Sequence, residues 1–337
     1  MARVMVTGGN GFVGAWCVEQ LLAAGHEVTV TVRSPAKADL VRAAVTAPTD
    51  PSRLTFGVVD LLDDDGWLLA MGGCDAVLHV ASPLAGDEDD PDSFVRPAVE
   101  GTLRVLEAAV QAEVPRVVMT SSCAAATPHS DQRTGAVDET TWTDPDEEGL
   151  AAYRRSKVLS ERAAWDFAAE HPELALTTIL PASVFGPARS AEGMSSLQII
   201  ARLLDGSTPA LPRLGFEVVD VRDVAAAHLL ALDAPQAVGQ RYIVSGELLW
   251  LGDVATILRE HLGPDAAKVA TEPLDDDVLR AFAESNAELR SLLPLLGREL
   301  RHVATKAHEQ LGWTARPAVE TIVASGRSVV ELAAAGA

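Results

Sequence analysis

Short apolar runs alternate with helical patterns throughout the first half of the chain. Strands are predicted where valine, isoleucine and threonine cluster, and helices where apolar residues recur every three or four positions. The predicted strands are Val4–Val6, Glu27–Val32, Leu54–Val59, Ala76–Val80, Arg116–Thr120 and Leu176–Leu180, and the predicted helices are Phe12–Ala24, Pro35–Thr46, Pro91–Glu113 and Gly149–His171. Because alternating strands and helices form parallel βαβ units, the pattern predicts an α/β fold with a doubly wound, Rossmann-type parallel sheet.

The regular alternation ends near Pro187. Beyond it the predicted helices are Met194–Leu204, Arg222–Leu232 and Leu251–Leu262, and the predicted strands are Val218–Val219 and Arg241–Val244. We therefore expect residues 1–187 to form the Rossmann domain, with its sheet completed by part of 215–245. Residues 188–337 are expected to form mainly a smaller C-terminal lobe, which closes over the carboxyl edge of the sheet and binds the substrate.

The composition is typical of an acidic globular protein. Of the 337 residues, 48% are hydrophobic, which is enough to bury a large core. The formal net charge is −21, so neither a nucleic acid nor a membrane surface is an expected partner, and no apolar run reaches the ~18 residues of a membrane span. Cys17, Cys74 and Cys123 lack the paired spacing of a zinc site or a disulfide framework. We therefore expect a cytoplasmic protein without a metal.

A glycine-rich turn, TGGNGFVG, follows the first predicted strand and opens the first predicted helix. Gly8, Gly11 and Gly14 are spaced three apart, and Gly9, Gly11 and Gly14 also satisfy the pattern GxGxxG. Glycines allow a tight turn and a close approach of the backbone to a pyrophosphate, and the helix N-terminus offers free N–H groups to the phosphates. Since a strand precedes the turn and a helix follows it, we expect a dinucleotide site rather than an empty structural turn.

The end of the second predicted strand indicates which dinucleotide is bound. A site selective for NAD carries an acidic residue there, which accepts hydrogen bonds from the ribose hydroxyls. Arg33 occupies this position and Lys37 follows one helical turn later. A guanidinium binds a 2′-phosphate through paired charged hydrogen bonds, so the sequence favours NADP(H) over NAD. The alternative is that Arg33 only stacks on the adenine, which would suit either cofactor.

A tyrosine and a lysine are candidates for the chemistry. Tyr153 and Lys157 lie four residues apart in YRRSK, on one face of a predicted helix. An ammonium beside a phenol favours the phenolate, which makes the tyrosine a usable general acid. The preceding strand ends at Ser121 and Ser122, where a hydroxyl can orient a substrate oxygen. The spacing alone is a weak signal, but the only other tyrosine is Tyr242, and the order Ser–Tyr–Lys after a glycine turn strengthens it.

The chain resembles the extended short-chain dehydrogenases/reductases. Within them it is most similar to the group of dihydroflavonol 4-reductase, cinnamoyl-CoA reductase and aldehyde reductase. The resemblance is carried by the strings TGGNGFVG, VTVRSPAK, VVDL, HVASP, TSSCAAA, YRRSK, LPASVFGP and VVDVRDVAAAH, which run from residue 4 to about residue 245.

The resemblance implies a role for each matching position. It implies the catalytic triad Ser122, Tyr153 and Lys157, where the motif alone selects Ser122 over Ser121. For the cofactor it implies Thr7, Gly8, Gly11, Phe12, Val13 and Gly14 at the pyrophosphate, Arg33 and Lys37 at the 2′-phosphate, Asp60 and Leu61 at the adenine, Val80, Ala81 and Ser82 at the adjacent ribose, and Pro181, Ser183 and Val184 beside the nicotinamide. A simple helix cap is the alternative for Asp60.

Three further residues are candidates for contact with the substrate. They are Pro83, Cys123 and His129. A lone loop histidine is more often simply exposed to solvent, and a cysteine in this position is more often a small buried filler. The stretch Ala126–His129 departs from the plant flavonoid enzymes, so a flavonoid substrate is not expected.

The resulting hypothesis is an enzyme that uses NADPH to reduce a ketone or an aldehyde to an alcohol, with Tyr153 as the general acid. Its partner would be a small carbonyl compound, and the resemblance implies a homodimer formed through 91–113 and 149–171. One alternative is an NAD-dependent sugar-nucleotide epimerase or dehydratase on the same scaffold, which would favour an acid at position 33. Another is a non-catalytic dinucleotide sensor, which often lacks the Tyr–Lys pair.

Overall fold

The computed structural model describes residues 1–46, 50–82, 90, 92–190 and 197–336. Its strands are β1 (Arg3–Thr7), β2 (Glu27–Val32), β3 (Leu54–Val58), β4 (Ala76–His79), β5 (Arg116–Thr120), β6 (Thr134–Val137), β7 (Ala175–Pro181), β8 (Ser183–Phe185), β9 (Gly215–Asp220), β10 (Gln240–Val244), β11 (Leu248–Trp250) and β12 (Glu299–His302). Its helices are α1 (Phe12–Ala23), α2 (Pro35–Ala44), α3 (Trp67–Met71), α4 (Asp92–Gln111), α5 (Ala152–Glu170), α6 (Gln198–Asp205), α7 (Val221–Asp233), α8 (Leu251–Leu262), α9 (Asp276–Ala283), α10 (Ala287–Leu292), α11 (Thr305–Leu311) and α12 (Ala318–Gly336). The substrate candidate Pro83 and the predicted helix starts Pro91 and Met194 lie outside the described residues.

Seven strands form one sheet in the order β10-β7-β5-β4-β1-β2-β3. Every neighbouring pair in it is parallel, which confirms the predicted Rossmann-type sheet. The strand order runs outward from β1 in one direction and from β4 in the other. Crossovers that leave in opposite directions open a crevice at the carboxyl ends of β1 and β4, which is where such sheets bind ligands.

Helices cover both faces of this sheet, and the central strands are therefore apolar on both sides. Val4 and Val6 of β1 belong to the core shared with α1, α2 and α7. Met5, between them, packs on the opposite face with residues of α3, α4 and α5. Because successive strand residues point to opposite faces, a strand buried on both sides needs a continuous apolar run, as the sequence has here.

The remaining strands lie outside the large sheet. Within the range 215–245, which was predicted to complete the large sheet, β10 forms its edge beside β7. In contrast, β9 pairs with β8 and β11 in a three-stranded sheet, and β12 pairs with β6. The reason is that the chain leaves the large sheet after Pro181, so β8 rather than β7 is the partner available to β9. A separate apolar core joins α6, α8 and α12 in this part of the molecule.

The helix that carries the candidate tyrosine begins later than predicted. Gly149 has a φ of +76°, and Ala151 has a ψ of 139°. Neither conformation continues into a right-handed helix, so α5 begins at Ala152 rather than at Gly149. Tyr153 consequently lies in the first turn of α5, at the carboxyl edge of the sheet.

Candidate active site

The hydroxyl of Thr7 joins β1 to β4 at the point where the crevice opens. Thr7 Oγ1 accepts hydrogen bonds from the backbone N–H groups of Val80 and Ala81, both at 3.0 Å. Its own proton therefore goes to His79 Nδ1, which lies 2.9 Å away, and the neutral ring carries its proton on Nε2. Burial, and secondly the nearby charge of Lys157, lower the pKa of His79 to about 3. The strand ends are thus joined through a neutral histidine and the hydroxyl of Thr7.

The glycine turn is so tight that side chains do not fit in it. Gly8 has a φ of +69°, and a Cβ on it would lie 2.9 Å from Ala81 Cα. A Cβ on Gly14 would lie 2.2 Å from the carbonyl oxygen of Gly8. These contacts place the N-terminus of α1 directly at the crevice. The first N–H groups of a helix have no partner within it, so those of Phe12 and Val13 are available to a pyrophosphate.

Arg33 follows β2 directly and is exposed. Lys37 lies in the first turn of α2 and is partly buried. Within the described part of the chain, no hydrogen bond or ion pair involves the Arg33 guanidinium. The chain has 48 acidic residues and only 27 Lys and Arg, so carboxylate partners are abundant. That Arg33 lies beside the crevice without such a partner favours an anionic ligand there.

The predicted adenine residues lie after β3. The Asp60 carboxylate accepts a hydrogen bond from the backbone N–H of Leu62 at 3.0 Å, so it stabilises a local turn. The alternative of a helix cap is wrong, because the next helix begins at Trp67 with Gly66 as its N-cap. Leu61 is partly buried and lies against Gly101 of α4, where an added Cβ would be 3.1 Å from Leu61 Cβ. Val80, Ala81 and Ser82 follow β4 at the crevice and are all partly buried.

Lys157 lies beneath Tyr153 on α5. Its Nζ is 5.6 Å from the centroid of the Tyr153 ring, and only 6% of the residue is exposed. The structure gives this ammonium no hydrogen bond or ion pair with any residue that it describes. A buried charge without a partner is costly. The hydroxyls of a cofactor ribose would supply the missing oxygen atoms.

The two serines after β5 differ in their surroundings. Ser121 is buried, and its Oγ donates to Glu161 Oε2 at 2.7 Å. Ser122 is partly exposed, and its Oγ accepts from the backbone N–H of Ala124 at 3.1 Å, where it caps a short 3₁₀ turn. The Ser122 hydroxyl therefore keeps its proton for a substrate oxygen, whereas the proton of Ser121 is already engaged. The geometry supports the motif's choice of Ser122.

The predicted nicotinamide residues lie where the chain leaves the large sheet. Pro181 is buried at the end of β7, opposite Val244 of β10. Ser183 and Val184 begin β8 and are partly buried. Val184 and Val13 pack against the same apolar clusters, so β8 runs close to the N-terminus of α1.

The other substrate candidates have local partners. Cys123 is buried, and its Sγ donates to the carbonyl oxygen of Leu180 at 3.3 Å. Burial raises the pKa of this thiol well above its usual value, so it is neutral. His129 is exposed, and its Nδ1 lies 2.9 Å from Asp131 Oδ1. A role for either residue in substrate binding stays a prediction.

A buried histidine that sequence reasoning missed lies behind the Ser122 loop. Thr127 Oγ1 donates to the carbonyl oxygen of Cys123 at 2.6 Å, so it must accept from His302 Nε2, 3.1 Å away. His302 Nδ1 lies 2.6 Å from Glu217 Oε2. This chain of bonds links β9 and β12 of the lobe to the loop after β5. No local sequence signal connects His302 with residues so distant along the chain.

The described residues contain no helix that is both long enough and apolar enough to cross a membrane. They also contain no group of three or more His, Cys, Asp or Glu residues arranged to hold a metal ion.

The residues of the crevice fit a nicotinamide dinucleotide phosphate. The turn at Gly8 and Gly14 forms a cradle that a Cβ would fill. Among the described residues, neither the Arg33 guanidinium nor the buried Lys157 ammonium has a hydrogen bond or an ion pair. A glycine turn at the switch point of a parallel sheet, together with a Tyr–Lys pair in the first turns of a helix beside it, is the arrangement of a short-chain dehydrogenase/reductase.

Comparisons with known proteins agree with this class. Residues 4–245 match the model of the NAD dependent epimerase/dehydratase family. The chain is 38% identical over 299 residues to cinnamoyl-CoA reductase 1 of Petunia hybrida, with 86% of each chain covered. It is 36% identical over 267 residues to dihydroflavonol 4-reductase of Zea mays, with 77% of this chain and 74% of that protein covered. The chain therefore belongs to the NAD dependent epimerase/dehydratase family, and the resemblance to extended short-chain dehydrogenases/reductases is confirmed.

Solved structures agree over the whole length of the chain. The crystal structure of yeast methylglyoxal/isovaleraldehyde reductase complexed with NADPH aligns with a TM-score of 0.81 at 27% identity, covering 98% of this chain and 99% of that one. The likeness therefore includes the C-terminal lobe, beyond the residues that the family model matches.

We predict that Gly14→Ala weakens NADPH binding about tenfold or more and lowers the free energy of unfolding by about 1–3 kcal/mol. The added methyl group would overlap the Gly8 carbonyl and push the turn away from α1. Fluorescence titration with NADPH and urea unfolding measure the two effects. Gly252→Ala is the matched control, because a Cβ there meets nothing within 4 Å. Equal NADPH affinity in the two variants would contradict the prediction.

Proposed function

We propose that this protein is an NADPH-dependent reductase that converts a ketone or an aldehyde into an alcohol. The observation that carries the proposal is the buried Lys157 ammonium, which has no partner among the described residues and lies beneath Tyr153 at the crevice. Relatives covering most of the chain are named as reductases. The aligned reductase structure is an NADPH complex.

Three side chains would act on the substrate oxygen or on the group that protonates it. The reduced nicotinamide, when bound, supplies a hydride to the carbonyl carbon. The Tyr153 hydroxyl donates its proton to the oxygen, and the Ser122 hydroxyl donates a hydrogen bond to the same atom. The charge of Lys157 stabilises the tyrosinate that remains. Because these groups are fixed before the reaction, little reorganisation is needed as charge develops on the oxygen.

The proposed cofactor is NADP(H) rather than NAD(H), although the family is described as NAD dependent. The support comes from Arg33, which stands where an NAD site would carry an acid and which has no carboxylate partner in the described structure. The same residue argues against the alternative of an NAD-dependent sugar-nucleotide epimerase or dehydratase. The proposed substrate is a small carbonyl compound bound between the Ser122 loop and the lobe formed mainly by 188–337.

We also propose a homodimer, formed through α4 and α5 as the resemblance implies. Size-exclusion chromatography with light scattering should give twice the 35.5 kDa mass of one chain, and a single-chain mass would contradict this.

We further propose a cytoplasmic location. Its support is that Cys17, Cys74 and Cys123 are all buried free thiols, as is typical of a reducing compartment. Cell fractionation tests it.

We predict that Tyr153→Phe lowers kcat for carbonyl reduction by about 10²- to 10⁴-fold, because the general acid is lost while the ring is kept. NADPH oxidation on a panel of ketones and aldehydes measures the effect. Tyr242→Phe is the control, since the Tyr242 hydroxyl donates to Gln310 Oε1 away from the crevice. The proposed mechanism is wrong if the Tyr153 variant turns over at the wild-type rate.

We predict that Arg33→Ala lowers kcat/KM for NADPH by about 10- to 100-fold and leaves that for NADH nearly unchanged, because only NADPH carries the phosphate that the guanidinium would bind. Arg42→Ala, on the helix α2 that follows Arg33, is the control, since Arg42 is already paired with Asp39 on the surface. An unchanged preference between the two cofactors in the Arg33 variant would show that Arg33 does not select NADPH over NADH.

A further inference from the structure

A buried carboxylate lies one helical turn beyond Lys157. Glu161 of α5 is fully buried, and both of its oxygens accept hydrogen bonds from neighbouring elements. Oε2 accepts from Ser121 Oγ at 2.7 Å, and Oε1 accepts from Thr178 Oγ1 of β7 at 2.7 Å. Trp165 Nε1 adds a longer bond of 3.3 Å from within α5. Glu161 thus ties the helix that carries Tyr153 to β7 and to the residue that directly follows β5.

Arg241 of β10 completes this cluster. Its Nε lies 2.8 Å from Glu161 Oε1 and its Nη2 lies 3.1 Å from Oε2, which forms a buried, two-point ion pair. The same guanidinium donates to the carbonyl oxygens of Glu139 and Thr141 at 2.7 and 2.9 Å. At 3.5 Å it also reaches the carbonyl oxygen of Ala125, in the short turn that Ser122 caps. The pair therefore touches the Ser122 loop at both of its ends.

We infer that Glu161 and Arg241 are positioning residues, which fix the Ser122 hydroxyl relative to the Tyr153–Lys157 pair. The inference rests on the proposed function, because it says which hydrogen bonds set the distance between the proposed catalytic groups. Ser121 is the direct link, since it precedes Ser122 and its hydroxyl is held by the same helix that carries the tyrosine. Neither Glu161 nor Arg241 contacts the reacting atoms in this account.

A purely structural role and a positioning role for the cluster predict different effects of substitutions on turnover. Ser121 and Thr178 each donate one hydroxyl bond of 2.7 Å to Glu161. Loss of either bond leaves the ion pair with Arg241 in place, so both variants are expected to fold. Only Ser121 adjoins the catalytic serine, because Thr178 lies in the middle of β7. The two substitutions therefore separate the stability of the cluster from its effect on geometry.

The test compares Ser121→Ala with Thr178→Val in the full-length protein. We measure melting temperature, kcat for a carbonyl substrate, KM for NADPH, and NADPH affinity by fluorescence. Both variants should melt at similarly lowered temperatures. Ser121→Ala should lose about tenfold or more in kcat, since a small misplacement of a catalytic group has effects of this size. Its KM and affinity for NADPH should stay within about twofold of wild type, and Thr178→Val should keep its kcat within the same range.

Two results would overturn the inference. One is a wild-type kcat in Ser121→Ala, and the other is an equal loss of kcat in both variants. Ser122→Ala and Tyr153→Phe, measured alongside, separate this failure from a failure of the proposed function. If those two variants keep wild-type turnover, the reductase mechanism and the inference built on it are both wrong. If they lose turnover while Ser121→Ala keeps it, only the positioning role is wrong.

Discussion

The hydrogen bonds of one threonine hydroxyl hold β1 and β4 together at the point where the crossovers leave in opposite directions. β1 ends at Thr7 and β4 ends at its partner His79, so the N–H groups of Val80 and Ala81 have left the regular ladder. Thr7 Oγ1 accepts from both of them and donates to His79. Buried polar groups that would otherwise need water are thereby paired. The N–H groups that follow β4 are therefore satisfied at the crevice, and the first glycine of the turn, Gly8, is the next residue after Thr7.

Two cations beside the crevice differ from the buried Arg241 in their partners. Arg241 is buried and forms an ion pair with the Glu161 carboxylate. Arg33 and Lys157 have no ion pair within the described structure, although one is exposed and the other is buried. A net charge of −21 makes carboxylates abundant. We propose that Arg33 and Lys157, which lack a carboxylate partner among the described residues, bind the phosphate and the ribose of a single extended ligand.

The sequence predicted the elements whose signals are local. The bounds of β2, β5 and α8 agree to the residue with the expected ranges, because their apolar patterns end abruptly at polar, glycine or proline residues. The parallel pair β6 and β12 was missed. Each strand has only four residues, and the pairing joins Thr134 to Glu299, which are far apart along the chain. Nothing in a window of neighbouring residues encodes such a contact, and the late start of α5 depended on a positive φ at Gly149 that the periodicity does not reveal.

The same distinction applies to the site. Motif spacing selected Tyr153, Lys157 and the pair of serines as candidates, but it could not separate Ser121 from Ser122 on physical grounds. The separation comes from Glu161, forty positions further along the chain than Ser121. Its place one turn beyond Lys157 on the sheet-facing side of α5 was a signal that the sequence contained, since an acid on a buried helix face requires partners.

A buried ion pair is weak evidence for stability, because well-packed apolar residues of similar volume often serve as well or better. The presence of Glu161 and Arg241 beside the candidate tyrosine and lysine of α5 therefore needs a reason other than the strength of the fold. Apolar contacts are nondirectional and tolerate small shifts, whereas a carboxylate that accepts from a serine, a threonine and a forked guanidinium has only one arrangement that satisfies all of them. Such a group fixes the position of α5 against β5, β7 and β10. A reaction in which a serine and a tyrosine must meet on one oxygen atom depends on that position.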